Sequence, residues 1–488
     1  MGTWFLLTPF LLRELGPTHY GLWVLVGSFV AYGSLLNFGM GGALTKYVAE
    51  YRSRGEFERS RAVIATSLWL YLGLGLAAAL VIVAVAPIYP ALFRVPLDEQ
   101  ELAVRLVMIM GLNIGVAIPC AATTSVLMGL QRYDLYNAMT LGVTLLSAVA
   151  TVAVLGLGGD VAAMAAVNIP VVLLMQLPAV LIIRRVAPEL GFGLRGARLS
   201  TARELLAFSS SLFLGDVATR LQTQTDEIVI GAVLAVASVT PYAIARKLSE
   251  AALMVTEAFL KVILPLASEL HAVDDHARLK ALYLAGTRLT LAIFLSVGCA
   301  LMVVPDLILR VWVGEEFVRY SPLVAVLSLA SLINVARWPA ANVLQGMGRA
   351  RFQALAAIGN GLANLGLSIV LAPTYGLTGV ALGTLIPTIV ESLCVLTPYT
   401  LRVTGVRLVE LSRQALIPAL LPAVPAVLVL LTLRSLVAVA ELPSLVLVVG
   451  SGALTYSLIY LALSQGGERR LVFDIWRRVV RTLVPGQA

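Results

Sequence analysis

Nine ionisable side chains fall within residues 216–261, in a part of the chain that is otherwise apolar. At 100° per residue, Asp216, Arg220, Thr223 and Glu227 share one face of a helix, with Gln224 beside them. Arg246, Glu250, Glu257 and Lys261 share a face of the next helix. A connector turning near residue 237 makes the two helices antiparallel. That packing is expected to bring Glu227 to Arg246, Arg220 to Glu250 or Glu257, and Asp216 to Lys261. Asp226 and Lys247 lie to one side at similar depth. The carboxylates Asp216, Asp226, Glu227, Glu250 and Glu257 outnumber the cations Arg220, Arg246, Lys247 and Lys261 by one, which is unlike a pure anion site. The chemistry open to such a group is ion pairing along a hydrophilic cavity wall, with Asp216, Asp226 and Glu227 as candidate ion-coupling carboxylates. The alternative is a salt-bridge ladder tying two helices together, and such a ladder can itself line a cavity.

Arg288 and Arg337 have no acid within four residues in sequence. A guanidinium deep in an apolar helix requires either a distant partner, such as Glu391, or an anionic ligand. Arginine suits two-pronged phosphate contact. Lys46 sits near the end of its apolar block, where it can snorkel or face a cavity. Asn113, Asn334, Asn360 and Asn364 are mid-block amides, suited to hydrogen bonds between helices or to a sugar-lined cavity.

Several chemistries lack their residues. There is no GxxxxGK[ST] loop for ATP, no HExxH, no GxSxG and no Cys/His cluster with metal spacing. The three histidines, His19, His271 and His276, lie at block ends or in a connector. Cys120, Cys299 and Cys394 sit inside apolar blocks and form no disulfide framework. The longest connector, 184–204, carries no catalytic pattern. The reading is therefore not an enzyme, with no metal site and no cofactor beyond a coupling ion, Na+ or H+.

The elements that must position these residues follow from composition. The chain has 488 residues, 59 % hydrophobic and 13 % charged, with a mean hydropathy of +0.92. Soluble domains are near a quarter charged. A membrane-crossing helix needs about 20 mainly apolar residues. Such blocks fall at 20–50, 61–86, 101–130, 135–157, 161–183, 205–235, 239–265, 279–304, 321–345, 352–371, 377–400, 413–433 and 444–463. The apolar residues before Arg13 cover only about 18 Å at about 1.5 Å per residue. They read as the second half of a first, incomplete helix, giving about fourteen. Of 35 Lys and Arg, 22 lie in one set of connectors and the tail, 6 in the alternate set and 7 inside blocks. By the positive-inside tendency this puts both termini in the cytoplasm and excludes a nucleic-acid reading of the net +8 charge. Val472, Ile475, Trp476, Val479, Val480 and Leu483 recur at helical spacing with arginines opposite, a basic amphipathic helix for the cytoplasmic leaflet.

Residues 129–173 align with 346–390 at a constant offset of 217, pairing Gly129 with Gly346, Arg132 with Arg349, Gly142 with Gly359, Gly159 with Gly376 and Pro170 with Pro387. Arg61 and Arg278 fit the same offset, while Tyr20 and Tyr242 match at another. Six helices separate equivalent positions, so the repeats are parallel. The expected fold is an all-α polytopic membrane protein of two parallel-repeat six-helix lobes plus a C-terminal helix pair. Its expected parts are an N-terminal lobe 1–183, a cytoplasmic linker 184–204, a C-terminal lobe 205–400, a terminal helix pair 401–463 and a basic tail 464–488. Paired bundles of this kind hold substrate between the repeats and work by rocking.

The run LGPTHYGLWVLVGSFVAYGSLLNFGMGGALTKYVAEYRSRGE, residues 15–56, resembles the N-terminal signature of the polysaccharide-transport (Wzx-like) flippases. TDEIVIGAVLAVASVTPYAIARKLSEA, residues 225–251, resembles their second-half equivalent. The resemblance implies a cell-membrane flippase that moves a polyprenyl-diphosphate-linked oligosaccharide from the cytoplasmic to the outer leaflet by alternating access, for O-antigen, capsule or exopolysaccharide assembly. It implies membrane lipids and a polysaccharide polymerase as partners. Family members use cavity cations for the diphosphate; burial and spacing nominate Arg220, Arg246, Arg288, Arg337 and Lys46 here. Two other readings share the fold: a lipid II (peptidoglycan precursor) flippase and a cation-coupled multidrug antiporter.

Overall fold

In the computed structural model the chain is helical throughout its described residues, 2–437 and 441–464. The helices used below are α1 (Gly2–Gly33), α2 (Met40–Ser53), α3 (Phe57–Val85), α4 (Gln100–Gly129), α5 (Tyr133–Gly156), α6 (Val161–Ala166), α7 (Asn168–Val186), α8 (Leu199–Val229) and α9 (Val239–Leu260). They continue as α10 (Ile263–Ala272), α11 (His276–Val303), α12 (Pro305–Trp312), α13 (Ser321–Gly346), α14 (Ala350–Val390), α15 (Thr397–Thr404), α16 (Ala423–Leu436) and α17 (Leu442–Leu463). The amphipathic helix expected in the tail lies outside the described residues.

Ten stretches among the described residues are long and apolar enough to cross a membrane, which makes this an all-α multi-pass membrane protein. Two of them, Gly2–Ser53 with 52 residues and Ala350–Thr404 with 55, far exceed one crossing. Both are broken at a glycine. Gly16 has φ 72° and Gly376 has φ 59°, a region that side chains with a Cβ avoid. At Gly16 the chain folds back far enough for Trp4 to meet Trp23, ring centroids 5.8 Å apart. Beyond Gly376 the Asn364 amide donates to Thr384 Oγ1 at 2.9 Å, so α14 is a hairpin. The blocks expected at 205–235 and 239–265 are the helices α8 and α9, with 31 and 22 residues. Neither is among the ten, their polar and charged residues making them less apolar.

The outward faces explain the composition. On α3, Trp69, Leu72, Leu76 and Leu80 form one exposed stripe, each more than 40 % accessible. On α17, Leu447, Leu454 and Leu458 do the same. Such contiguous apolar surface would drive aggregation in water and is the ordinary face of a helix toward lipid. Between helices, tight packing and buried hydrogen bonds do the holding, since lipid tails are as apolar as leucine.

The chain forms two compact units. Unit 1 comprises 1–244 and 357–384; unit 2 comprises 245–356 and 385–488. This grouping differs from the lobes expected from the repeat, because α8 and the α14 hairpin pack with the first unit. The core of unit 1 gathers Met40, Leu44, Tyr71, Val126, Leu127 and Ile183 from α2, α3, α4 and α7. The core of unit 2 gathers Ile263, Tyr283, Ala340, Val343 and Ala415.

Two connectors recur from one unit to the other. After α4, Leu130, Gln131 and Arg132 donate their amides to Val126, Met128 and Leu127, at 2.9–3.0 Å. After α13, Met347, Gly348 and Arg349 donate to Val343, Gln345 and Leu344 over the same distances, each residue 217 positions on. Earlier in each unit, Glu56 N bonds Tyr51 O at 2.8 Å and Asp275 N bonds Leu270 O at 3.0 Å. These two loops are 219 positions apart. The match of Arg61 with Arg278 is therefore corrected by two residues: Arg59 and Arg278 are the equivalents. Each pairs with the acid three residues before it, Arg59 with Glu56 at 2.6 Å and Arg278 with Asp275 at 3.4 Å.

Candidate functional site

In unit 1 the expected polar face of α8 is real but graded in depth. Asp216 and Thr223 are exposed, Arg220 is half-buried, and Glu227 is fully buried. A helix of crossing length with an exposed carboxylate and hydroxyl must face water or protein, because charge against lipid is costly, about 2.5–3.5 kcal/mol on insertion scales.

One turn from that face, Asp226 is the centre of a buried polar cluster. The Tyr242 hydroxyl donates to Asp226 Oδ2, and Thr384 Oγ1 donates to the same oxygen at 2.9 Å. Asn364 in turn donates to Thr384. At the adjacent residue, Thr225 Oγ1 and Tyr32 OH bond at 2.8 Å. Three elements thus meet at one carboxylate, α8, α9 and the α14 hairpin, with α1 reaching the residue beside it. The hydroxyls of Tyr242 and Thr384 and the Asn364 amide are hard groups, which suit a proton or a hard cation better than a softer metal. No group of three or more His, Cys, Asp or Glu able to hold a metal ion occurs among the described residues.

In unit 2 the face of α9 carries Arg246 and Glu250, paired at 3.4 Å across one turn. Glu257 and Lys261 continue it and are exposed. Ser249, about a quarter-turn round α9 from that face, bonds Ser328 of α13 at 3.1 Å in the interior. The pairings expected between the α8 and α9 charges join residues of different units.

The two isolated arginines take different partners. Arg337 of α13 meets Glu391 at 3.0 Å, both buried, and donates through Nε to the half-buried Asn334 at 2.8 Å. Of the two readings open to it, the distant partner is the one the structure contains. Glu391 begins a π-helical turn, Glu391–Leu396, a wide turn that occurs often at functional positions. Arg288 of α11 is half-buried, with the Tyr460 hydroxyl of α17 beside its guanidinium.

Lys46 is held over the rings of Tyr47 and Phe208, at 4.4 and 4.3 Å, with Glu50 3.8 Å away. Asn113 donates to Ala165 O at 2.8 Å, an interhelical bond of the expected kind. The residues that sequence reasoning missed are Tyr32, Tyr242 and Thr384. Their signal is weak: each is a single hydroxyl in an apolar block, and Tyr242 stands out only through its match with Tyr20.

Residues 10–322, well over half of the chain, match the family described as polysaccharide biosynthesis protein, and the chain belongs to that family. No curated protein matches it. Its fold is that of transporters of the MOP superfamily. It is similar to the lipid II flippase MurJ in an inward closed conformation, with TM-score 0.69 and 17 % identity, covering 95 % of this chain and 96 % of that one. It is also similar to an inward-facing multidrug resistance MATE family transporter, with TM-score 0.64 and 16 % identity over 80 % of this chain and 93 % of that one. A third likeness is to a MOP superfamily transporter from Pyrococcus furiosus Vc1 whose binding pocket has reverse polarity, at TM-score 0.54 and 16 % identity, covering 80 % and 91 %.

Proposed function

We propose that the protein is a flippase for a lipid-linked saccharide carried on a polyprenyl diphosphate, working by alternating access in the cytoplasmic membrane. One observation carries this reading: two crossing-length helices of a polysaccharide-biosynthesis family member carry charged side chains that are exposed or half-buried, alongside apolar ones. Asp216 and Arg220 do so on α8, Arg246, Glu250 and Glu257 on α9, and Lys261 just after it. A charged headgroup crossing the bilayer needs such surfaces, whereas its lipid tail does not.

In this reading Arg220 and Arg246 contact the diphosphate, and Glu250, Glu257 and Asp216 set the charge around the sugars. Arg288 is a further contact. Arg337 leaves the set, since Glu391 and Asn334 already occupy its guanidinium. Asp226 is the coupling carboxylate, exchanging a proton or Na+ as the protein changes conformation; Glu227, its buried neighbour, assists. The fourteen-helix, two-lobe arrangement and cytoplasmic termini belong to the same proposal and rest on the repeat and the 22-to-6 charge asymmetry.

Two headgroups compete. The family description speaks for a surface-polysaccharide precursor. The near end-to-end likeness to a lipid II flippase speaks more strongly for lipid II, because the MATE likeness covers less of the chain. Replacement in cells separates them. Growth of a strain depleted of its lipid II flippase supports the second headgroup. Restored surface polysaccharide in a strain lacking its oligosaccharide flippase, without that growth, supports the first. Neither outcome, with the protein present in the membrane, removes both.

A further inference from the structure

We propose that the segment after α7 forms a binding site for the headgroup of an anionic phospholipid. Residues 187–198 are a strap stapled to unit 1 by four bonds. Arg61 Nε donates to Glu189 O at 2.9 Å, Arg52 Nε to Glu189 Oε1 at 3.3 Å, Trp69 Nε1 to Leu194 O at 3.2 Å, and the Arg198 amide to Thr66 at 3.0 Å. The fixed strap borders an open surface depression of about 690 Å³, lined by Arg184 and Arg195 together with Pro188, Phe192 and Leu194. That volume is in the range of small-ligand sites.

The charge balance of the pocket is one-sided. The strap has one carboxylate, Glu189, and Arg52 holds it. Among the described residues Arg184, Arg185 and Arg195 have no carboxylate partner, and all three are exposed. Arg184 makes only a long bond, 3.5 Å, to Phe192 O. An arginine fork at a bilayer surface takes phosphate oxygens in pairs.

The second half of the argument is apolar. Trp69, which pins the strap, is the first member of the exposed stripe Trp69, Leu72, Leu76 and Leu80 on α3. An indole at the level of the headgroups, with a leucine track leading away from it along the helix, is what an acyl chain requires beneath a bound headgroup. Arginine above and leucine below therefore select a phospholipid over a free anion. Basic pockets at the cytoplasmic ends of membrane helices take anionic headgroups in this manner.

Native mass spectrometry of the full-length protein, released from detergent with phosphatidylglycerol or phosphatidylethanolamine, tests the assignment. Wild type is expected to retain one more phosphatidylglycerol than Arg184→Gln/Arg195→Gln, which binds it about 30-fold more weakly, from about 1 kcal/mol per basic residue. Arg402→Gln/Arg407→Gln, equally basic positions of unit 2, is expected to keep that lipid. Arg195→Gln alone, on the loop and outside any helix, reads the same contrast if the double variant folds poorly. Equal retention by the Arg184 and Arg195 variants would overturn the site. So would equal binding of phosphatidylethanolamine, or displacement of phosphatidylglycerol by inorganic phosphate at the same concentration, which would make it a free-anion site.

Discussion

Arg337 and Glu391, 54 residues apart in sequence, meet at 3.0 Å in the interior of unit 2, with side chains 9 % and 3 % exposed. Two buried charges in contact are held by each other more than by any contribution to net stability. Removing one leaves the other without a counter-charge. Arg337→Met is therefore expected to destabilise the protein by about 3–5 kcal/mol. Arg337→Met/Glu391→Leu is expected to recover most of that loss. Thermal unfolding in one detergent checks both; a double variant as unstable as the single one would contradict the pairing account.

Asp226 accepts from Tyr242 and Thr384 on one oxygen. Asparagine there keeps the shape and an accepting oxygen but cannot take up and release a proton or balance a cation. Asp226→Asn is expected to fold and to lose acceleration of transport by an imposed Na+ or proton gradient, while passive exchange persists. Transport rates with and without each gradient separate the two. Tyr242→Phe, which removes a hydrogen bond to a charged group, is expected to cost about 1.5–3 kcal/mol.

Two glycines matched by the repeat, Gly346 at the end of α13 and Gly359 within α14, give a packing test. A Cβ on Gly346 would lie 2.7 Å from Ala267 Cβ and 3.0 Å from Ser268 N, both on the neighbouring α10. A Cβ on Gly359 would meet nothing within 4 Å. Gly346→Ala is expected to cost about 1–3 kcal/mol through overpacking. Gly359→Ala is expected to be neutral or slightly stabilising, since alanine favours helix by about 1 kcal/mol. Melting temperatures of the two variants, measured side by side, check the contrast.

Lys46 rests on two aromatic faces beside Glu50. Half-exposed contacts of that kind are worth about 0.5–1 kcal/mol. Lys46→Met is expected to show that modest loss in melting and to leave the translocation rate within about twofold. A tenfold slower rate at unchanged stability would return Lys46 to the substrate path.

Much of this was legible in the sequence, for reasons that can be named. Apolar blocks of crossing length announced the helices, and Gly16 and Gly376 reverse the chain where blocks were expected to end. The polar face of α8 follows from spacing alone. The offset of 217 survives in the hydrogen bonds of the loops after Gly129 and Gly346. Other features depend on tertiary contact. Glu391 is readable as a distant partner for either isolated arginine, but a spacing of 54 residues gives no sign that Arg337 and not Arg288 takes it, and the hydroxyls around Asp226 come from α9 and from beyond the Gly376 turn, 158 residues away in the case of Thr384. The two-residue slip between Arg61 and Arg278 arose because residues 56–129 span two positions more than their equivalents 275–346, which an ungapped alignment cannot register.

Translocation in proteoliposomes tests the central claim most directly. Vesicles would hold a polyprenyl-diphosphate oligosaccharide, or lipid II, labelled on the sugar, with outer-leaflet label read by a membrane-impermeant quencher. The wild-type protein is expected to move one of these lipids, and Arg220→Gln and Arg246→Gln are expected to slow it at least tenfold while melting like wild type. Wild-type vesicles that move neither lipid, yet accumulate a cationic dye against a Na+ or proton gradient, would contradict the account.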